Sequence, residues 1–412
     1  MWFMPLVTRR GFLSSAAAFQ IARPGDTLRA GLIGVGSRGR QAVNDLLTAA
    51  DNVEVVAMGD IFEDQLEKNL KWLKEDKRNA PIAARVNVTP DRRFIGFEAY
   101  KKVLASDIDI VMLCTPPGYR PMHFEAAVEA KKHVFCEKPF GTDPVGVRRF
   151  MAAAKKSEEL KLTVVSGAQR RFNREYVETI DKIKNGVIGD VTSTYAYWVG
   201  APVIQQKERK SQWGEMEWRH RNWYSNVWLG GDQIVEQHLH NIDVICWLMG
   251  AHPISVVAYG GAAWRPRTEI YGSIFDHITS DFTFANGVRL SSYCRQFPDP
   301  KMYRNISELA IGTKGRSNCH DLGSQGERTD YVAEHVALVN SVRGSGAYIN
   351  HAMAVAESTM TCIMARESAY SGLEITWEMI MNSQLDRTPK SFGYKDAMPA
   401  TPLPVPGVYK FI

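Results

Sequence analysis

Glu236, His240 and Asp243 bring two carboxylates and an imidazole within eight positions of the chain. Spaced four and three apart, they fall on one face of a helix expected over 232–249, so their side chains converge. Such a set suits proton transfer near neutral pH, because an unperturbed imidazole titrates at about 6.5. Lys138 sits in Glu137-Lys138-Pro139, directly after the strand-like run His133-Val134-Phe135-Cys136. Open α/β sheets bind ligands at the carboxyl ends of their strands, which sets this ammonium apart from a surface lysine. A metal reading is weaker: HExxH is absent, and His238 and His240, two apart, face different sides of a helix.

The elements that must position these groups begin at Leu28. Leu28-Arg29-Ala30-Gly31-Leu32-Ile33 is an apolar run of strand length leading into Gly34-Val35-Gly36-Ser37-Arg38-Gly39, after which Ala42, Val43, Leu46 and Leu47 recur at helical spacing. In such a unit Gly34 permits the tight turn, Gly36 admits a pyrophosphate to the backbone, and Gly39 allows close helix–strand packing. The helix N-terminus then offers free N–H groups to the phosphates. A second strand, over 53–59, ends in Asp60, 21 positions beyond Gly39, where a dinucleotide fold holds the carboxylate for the adenosine ribose. That carboxylate repels a 2′-phosphate, so NAD is expected over NADP, with Arg38 and Arg40 close enough to blur the choice. A buried strand over 108–114 leads into Thr115-Pro116-Pro117-Gly118-Tyr119, and His123 opens the next helix. A helix over 143–160 and a strand over 162–167 complete the sheet.

These blocks, with Gln169-Arg170-Arg171-Phe172 and with Gly230-Gly231 ahead of Glu236, His240 and Asp243, resemble the glucose–fructose oxidoreductase / inositol dehydrogenase (Gfo/Idh/MocA) family over most of residues 28–385. Arg221-Asn222-Trp223-Tyr224 and Asp276-His277 resemble its exported branch in sugar-degrading bacteria. The resemblance implies an α/β protein: a Rossmann NAD-binding domain over 28–168 and an α+β substrate domain with a mostly antiparallel open sheet over 169–385. It implies NAD contacts from Gly34, Gly36, Ser37, Arg38, Gly39 and Asp60, and from Thr115, Pro116, His123, Glu137, Lys138 and Gln169. Lys138 and His240 map onto the family's catalytic group; Glu236 stands where an aspartate is usual, and His238 where a glycine is. Hydride transfer from a carbinol carbon needs a base for the hydroxyl proton and a cation for the developing alkoxide. His240 suits the first task and Lys138 the second, with Glu236 orienting or charge-balancing them. Substrate contacts are expected from Arg170, Trp223, Tyr224, His238, Asp243 and His277, and the substrate is expected to be a sugar, sugar derivative or cyclitol. Two other readings stay open: an NAD-dependent glycosidase working by transient oxidation, elimination and re-reduction, and a non-catalytic dinucleotide sensor.

The rest of the chain narrows the class. Of 412 residues, 45% are hydrophobic and 23% charged, which excludes a disordered chain or a membrane bundle. A net charge of +5, from 50 basic and 45 acidic residues without blocks of one sign, gives no support to nucleic-acid binding. Six widely spaced cysteines, several in apolar runs, are expected to be small buried hydrophobes. Six of the ten tryptophans fall between Trp198 and Trp247, among Arg219, Arg221, Asn222 and Tyr224, a mixture suited to stacking on sugar rings or to an oligomer interface. Residues 1–27 carry Thr8-Arg9-Arg10-Gly11-Phe12-Leu13 before an alanine-rich stretch and resemble a twin-arginine export signal, so a periplasmic location is expected. The proline-containing tail, 386–412, is expected to wrap a surface or a neighbouring subunit, and a homo-oligomer without membrane insertion is expected.

Overall fold

A computed structural model describes residues 26–203, 206–398 and 401–412; the paired arginines and alanine-rich stretch of the expected export signal lie outside the described residues. Short apolar runs build the first sheet: β1 (Leu28–Ile33), β2 (Val53–Asp60), β3 (Arg93–Ile95), β4 (Ile110–Leu113), β5 (His133–Cys136) and β6 (Val164–Ser166). All pairings are parallel, in the order β3-β2-β1-β4-β5-β6. The order reverses between β1 and β4, which opens a crevice at their carboxyl ends. Strand β4, Ile-Val-Met-Leu, is buried along its whole length because helices cover both faces of the sheet. The helix Pro144–Glu159 starts at Asp143, whose carboxylate accepts from the Gly146 N–H at 2.7 Å.

The second sheet follows with β7 (Val191–Gly200), β8 (Ser255–Gly261), β9 (His277–Thr283), β10 (Arg289–Gln296), β11 (Asn305–Gly312), β12 (Arg316–Ser317) and β13 (Ile375–Thr376). Its order is β12-β11-β7-β10-β9-β8-β13, antiparallel throughout except for the parallel β7–β10 pair. The helices Leu239–Met249 and Ala352–Ser371 pack against one face. On the other face Tyr195, Tyr197 and Tyr293 stack with near-parallel rings, Tyr195 on Tyr197 along β7 and Tyr197 on Tyr293 across to β10, with centroids 6.5 and 5.2 Å apart. Strand β11 carries no apolar alternation, because its inward positions include the buried Glu308, a charge where an apolar residue would signal the core.

The helix expected over 232–249 is two helices, Gln233–Glu236 and Leu239–Met249, parted at Gln237-His238. Two anchors hold the break. Asp232, at φ +77°, caps Gln233 N and accepts from Phe275 N at 2.8 Å and the Tyr370 hydroxyl at 2.5 Å. His238 Nε2 lies 2.7 Å from Ser292 Oγ on β10. The second half also returns to the first: the helix Asp330–Arg343 packs beside Ser37–Ala49. The tail folds onto its own chain. Arg387 donates to Glu367 at 3.2 Å and to the Tyr409 hydroxyl at 2.6 Å, while the Tyr394 hydroxyl donates to the Ile61 carbonyl. Among the described residues no helix is long and apolar enough to cross a membrane.

Candidate active site

A cleft of about 690 Å³ runs from the glycine turn across the carboxyl ends of the first sheet to the inner edge of the second. The turn has the shape its sequence requires. Gly34 takes φ +93°, and a Cβ on Gly39 would stand 2.1 Å from the Gly34 carbonyl oxygen. Gly36 faces open space, and no side chain caps the helix Ser37–Ala49 or places an acid in its first turn. Its free N–H groups and positive dipole end therefore point at a gap that a pyrophosphate fits. Asp60 accepts from the Val35 N–H at 2.7 Å and the Phe62 N–H at 2.8 Å. Burial pushes its carboxyl up to about 6, against the pull of those two N–H groups.

Arg38 and Arg40 are committed to other partners. Arg38 forks to Glu137, to Asp45 and Glu334 at 3.2 Å each, and lies 4.6 Å over the Tyr331 ring. Arg40 lies 4.4 Å over Trp72 and donates to Asn69 at 3.1 Å. At the other end, Gln169 donates weakly to Tyr331, at 3.4 Å, and its buried Oε1 has no partner among the described residues. That oxygen is an acceptor for a carboxamide N–H, so the cleft fits a nicotinamide dinucleotide at both ends. Thr115 Oγ1 lies 3.3 Å from His123 Nδ1, and His123 stacks on Tyr119. Burial drives the His123 imidazole down to about 3, so it is neutral here.

Lys138 Nζ donates to both the carbonyl oxygen of Glu236, at 2.5 Å, and its Oε1, at 3.0 Å. Gln237 Nε2 donates to the other carboxylate oxygen of Glu236. His240 stacks on Trp198 with ring centroids 5.7 Å apart and planes 25° from parallel. The helix break notwithstanding, Lys138, Glu236 and His240 all line the cleft. One expectation is corrected: His240 is not an ordinary imidazole. Burial pushes its pKa well below the usual value, and the charges of Lys138, Arg170 and Arg38 push it further. Arg170 also lines the cleft, ion-paired with buried Glu308, which accepts from Tyr176 at 3.0 Å and Asn241 at 2.5 Å.

Trp223 lines the cleft, but four other expected substrate contacts lie outside it. His238 is fully buried against Ser292 and Asn241. Tyr224 accepts from Gln296 at 2.8 Å behind Trp223. Asp243 takes a two-pronged bond from Arg171, both at 2.8 Å, and another from Ser358 at 2.7 Å. His277 sits on β9, 2.8 Å from Asp276, whose carboxylate gathers the N–H groups of Ala263, Trp264 and Arg265. Tyr224, His238 and Asp243 are drawn off by partners distant in sequence, His277 by its neighbour Asp276. Sequence reasoning missed Gln237, Ile306 and Tyr331 in the cleft, and did not single out Trp198. Gln237 adjoins Glu236 and was within reach of inspection; Ile306 and Tyr331 arrive from elements whose placement no local pattern encodes.

Comparison with known proteins bears on the whole arrangement. A family model described as "Oxidoreductase family, NAD-binding Rossmann fold" matches residues 28–165, and "GFO/IDH/MocA C-terminal domain" matches residues 176–316. Inositol 2-dehydrogenase of Salmonella typhimurium is 24% identical over 237 residues, 57% of this chain and 58% of that protein. Myo-inositol 2-dehydrogenase of Thermotoga maritima is 26% identical over 162 residues, 39% of this chain and 42% of that protein. The chain spans about half the length of the curated relatives it matches. In fold it is similar to scyllo-inositol dehydrogenase from Lactobacillus casei with bound NAD(H) and scyllo-inositol, at TM-score 0.64 and 19% identity, over 85% of this chain and 99% of that one. Aldose-aldose oxidoreductase from Caulobacter crescentus gives TM-score 0.63 at 16% identity, over 85% and 99%.

Proposed function

This chain belongs to the Gfo/Idh/MocA oxidoreductases, with an NAD-binding Rossmann domain, and we propose that it moves a hydride between NAD and the carbinol carbon of a sugar, sugar derivative or cyclitol. One observation carries the reading: an ammonium held by a carboxylate, Lys138 on Glu236, shares the cleft with an imidazole kept neutral by burial, His240. Bound NAD supplies the hydride acceptor and, in reverse, the donor. His240, unprotonated, takes the hydroxyl proton as the carbinol carbon is oxidised. Lys138 faces the oxygen that gains charge and stabilises it as alkoxide. Glu236 fixes the ammonium in place, and Gln237 fixes the carboxylate. Trp198, Trp223 and Ile306 offer an apolar wall to the C–H face of a ring. The cations at the substrate end are paired, Lys138 with Glu236 and Arg170 with Glu308, which favours a neutral polyol over a polyanion.

The paired arginines near the N-terminus support export by the twin-arginine route, which carries folded proteins. All six cysteines are free thiols, in keeping with folding in a reducing compartment. An exported enzyme meets no pool of free nicotinamide, so NAD stays bound, and the hydride it takes up is handed back on the protein to the carbonyl carbon of a second substrate or of the same substrate in a redox-neutral cycle. The open tyrosine face of the second sheet is the surface through which a homo-oligomer forms. The test is product mapping with purified protein on a panel of polyols and their glycosides. A keto product supports the dehydrogenase. Cleavage of a glycoside with no net change in NADH favours the redox-neutral glycosidase instead.

A further inference from the structure

The cleft does not end at the Rossmann domain's own surface. Beyond Asp60 it is flanked by Phe62, Phe97 and Tyr119 of the first domain, and it is roofed by Lys207, His220 and Arg221 of the second. We propose that Lys207, His220 and Arg221 complete the adenosine end of the dinucleotide site, so that this end is held between the two domains and leaves only when the Arg221–Asp64 pair opens. The inference rests on the reading that a nicotinamide dinucleotide occupies the cleft.

Arg221 is built as a latch. Its Nη1 and Nη2 each donate to Asp64 at 3.0 Å, across the domain boundary, and its Nε donates to Glu217 at 3.0 Å. The same guanidinium lies 3.9 Å over the Phe62 ring, so one side chain closes the roof and covers the aromatic floor. His220 has one fixed tautomer. Nδ1–H donates to the Met216 carbonyl at 2.6 Å, which leaves Nε2 to accept from the Tyr119 hydroxyl at 2.5 Å. Burial takes its pKa down to about 4, and Phe97 meets it edge-on at 5.4 Å. The result is an uncharged aromatic surface of the kind a purine stacks on. Lys207 is placed by two bonds, from its own N–H to Asn222 at 3.3 Å and from Trp218 Nε1 to its carbonyl at 2.8 Å. Its Nζ makes no hydrogen bond among the described residues and is available to a ribose or phosphate oxygen.

The tail reinforces the same roof. The Tyr394 hydroxyl donates to Ile61, the Tyr394 carbonyl accepts from Glu217 N at 3.2 Å, and the ring stands 5.1 Å from Phe97. A Cβ on Gly214 would lie 2.3 Å from that carbonyl oxygen, so the approach of tail to roof requires the glycine. Roof, floor and strap thus come from three distant parts of the chain and meet beside Asp60.

The test follows release of bound NADH by stopped-flow fluorescence after mixing with excess NAD, and binding of ADP-ribose and of nicotinamide mononucleotide by calorimetry. Arg221→Ala should speed release at least tenfold and weaken ADP-ribose by a similar factor, leaving the mononucleotide within twofold. Asp64→Asn, which spares every cleft contact and lies on the surface, should speed release about three- to fivefold, the scale of an exposed ion pair. Release and ADP-ribose affinity within twofold of the original protein for Arg221→Ala would overturn the latch while leaving the dinucleotide reading intact. Failure of the unaltered protein to bind either NADH or ADP-ribose would overturn both.

Discussion

Lys138 and Glu236 are both nearly buried, so the bond between them is one that neither can lose without leaving a charge unpaired. Lys138→Ala is expected to cut turnover by about a thousandfold, the scale of removing one preorganised donor to an oxyanion, with NAD affinity within about threefold. Steady-state kinetics beside a binding titration separate the two. His240 titrates well below the ordinary imidazole range because burial comes first and three cations add to it. The acid limb of kcat/KM should therefore lie below the usual histidine value, and the conservative variant Lys138→Met should move any residual limb upward. Asp60 behaves in the opposite sense. Its folded-state carboxyl titrates at about 6, so the cofactor-free protein should gain stability as pH falls from there toward the ordinary carboxylate range. NAD affinity should fall over the same interval as the acceptor for the ribose hydroxyls is protonated, and Asp60→Asn should flatten that dependence in a titration between pH 5 and 8. Lys138 and Asp60 were legible because each closes a strand within a local motif. Tyr224, His238, Asp243 and His277 were misplaced because Gln296, Ser292, Arg171 and Asp276 claim their polar atoms, and three of those four partners are far away in sequence.

At the scale of elements, the break at Gln237-His238 decides how Glu236 and His240 meet. Hydrophobic spacing over 232–249 suits one helix, and periodicity alone does not reveal that Asp232 and His238 are both held by the second sheet and its flanking helix. Ser292→Ala leaves a fully buried His238 Nε2 without its partner, which costs about 1–3 kcal/mol. The urea midpoint should fall accordingly, and turnover should fall with little change in NAD affinity, because the carboxylate and imidazole shift relative to each other. β11 was hidden for a related reason: Glu308 reads as a surface residue until Arg170, Tyr176 and Asn241 are seen around it. The six parallel strands were easier, since uninterrupted apolar runs such as Ile110–Leu113 announce burial on both faces.

At the scale of the molecule, both domains line the cleft and the tail packs beside it. Tail residues Arg387 and Tyr409 both reach Glu367, which is fully buried beside Arg366. A stop after Asp386 removes both tail partners but leaves Glu367 paired with Arg366, and should lower stability by about 1–3 kcal/mol, the cost of leaving a buried acceptor short of its donors, read as a shift in the denaturant midpoint. Composition and motifs announced two domains and a tail; they did not announce that the tail straps its own chain over Ile61 and Glu217, because those contacts join residues more than 150 positions apart. The central claim is hydride transfer between a polyol carbon and NAD in this cleft, and single-turnover transfer of deuterium tests it most directly. The protein, loaded with NAD, is mixed with sugars and cyclitols deuterated on carbon and quenched, and the nicotinamide is weighed by mass spectrometry. One deuteron gained on the nicotinamide ring, and gained about a thousandfold more slowly in Lys138→Ala, is the predicted result; a nicotinamide that gains no deuterium from any substrate across the panel would contradict the account.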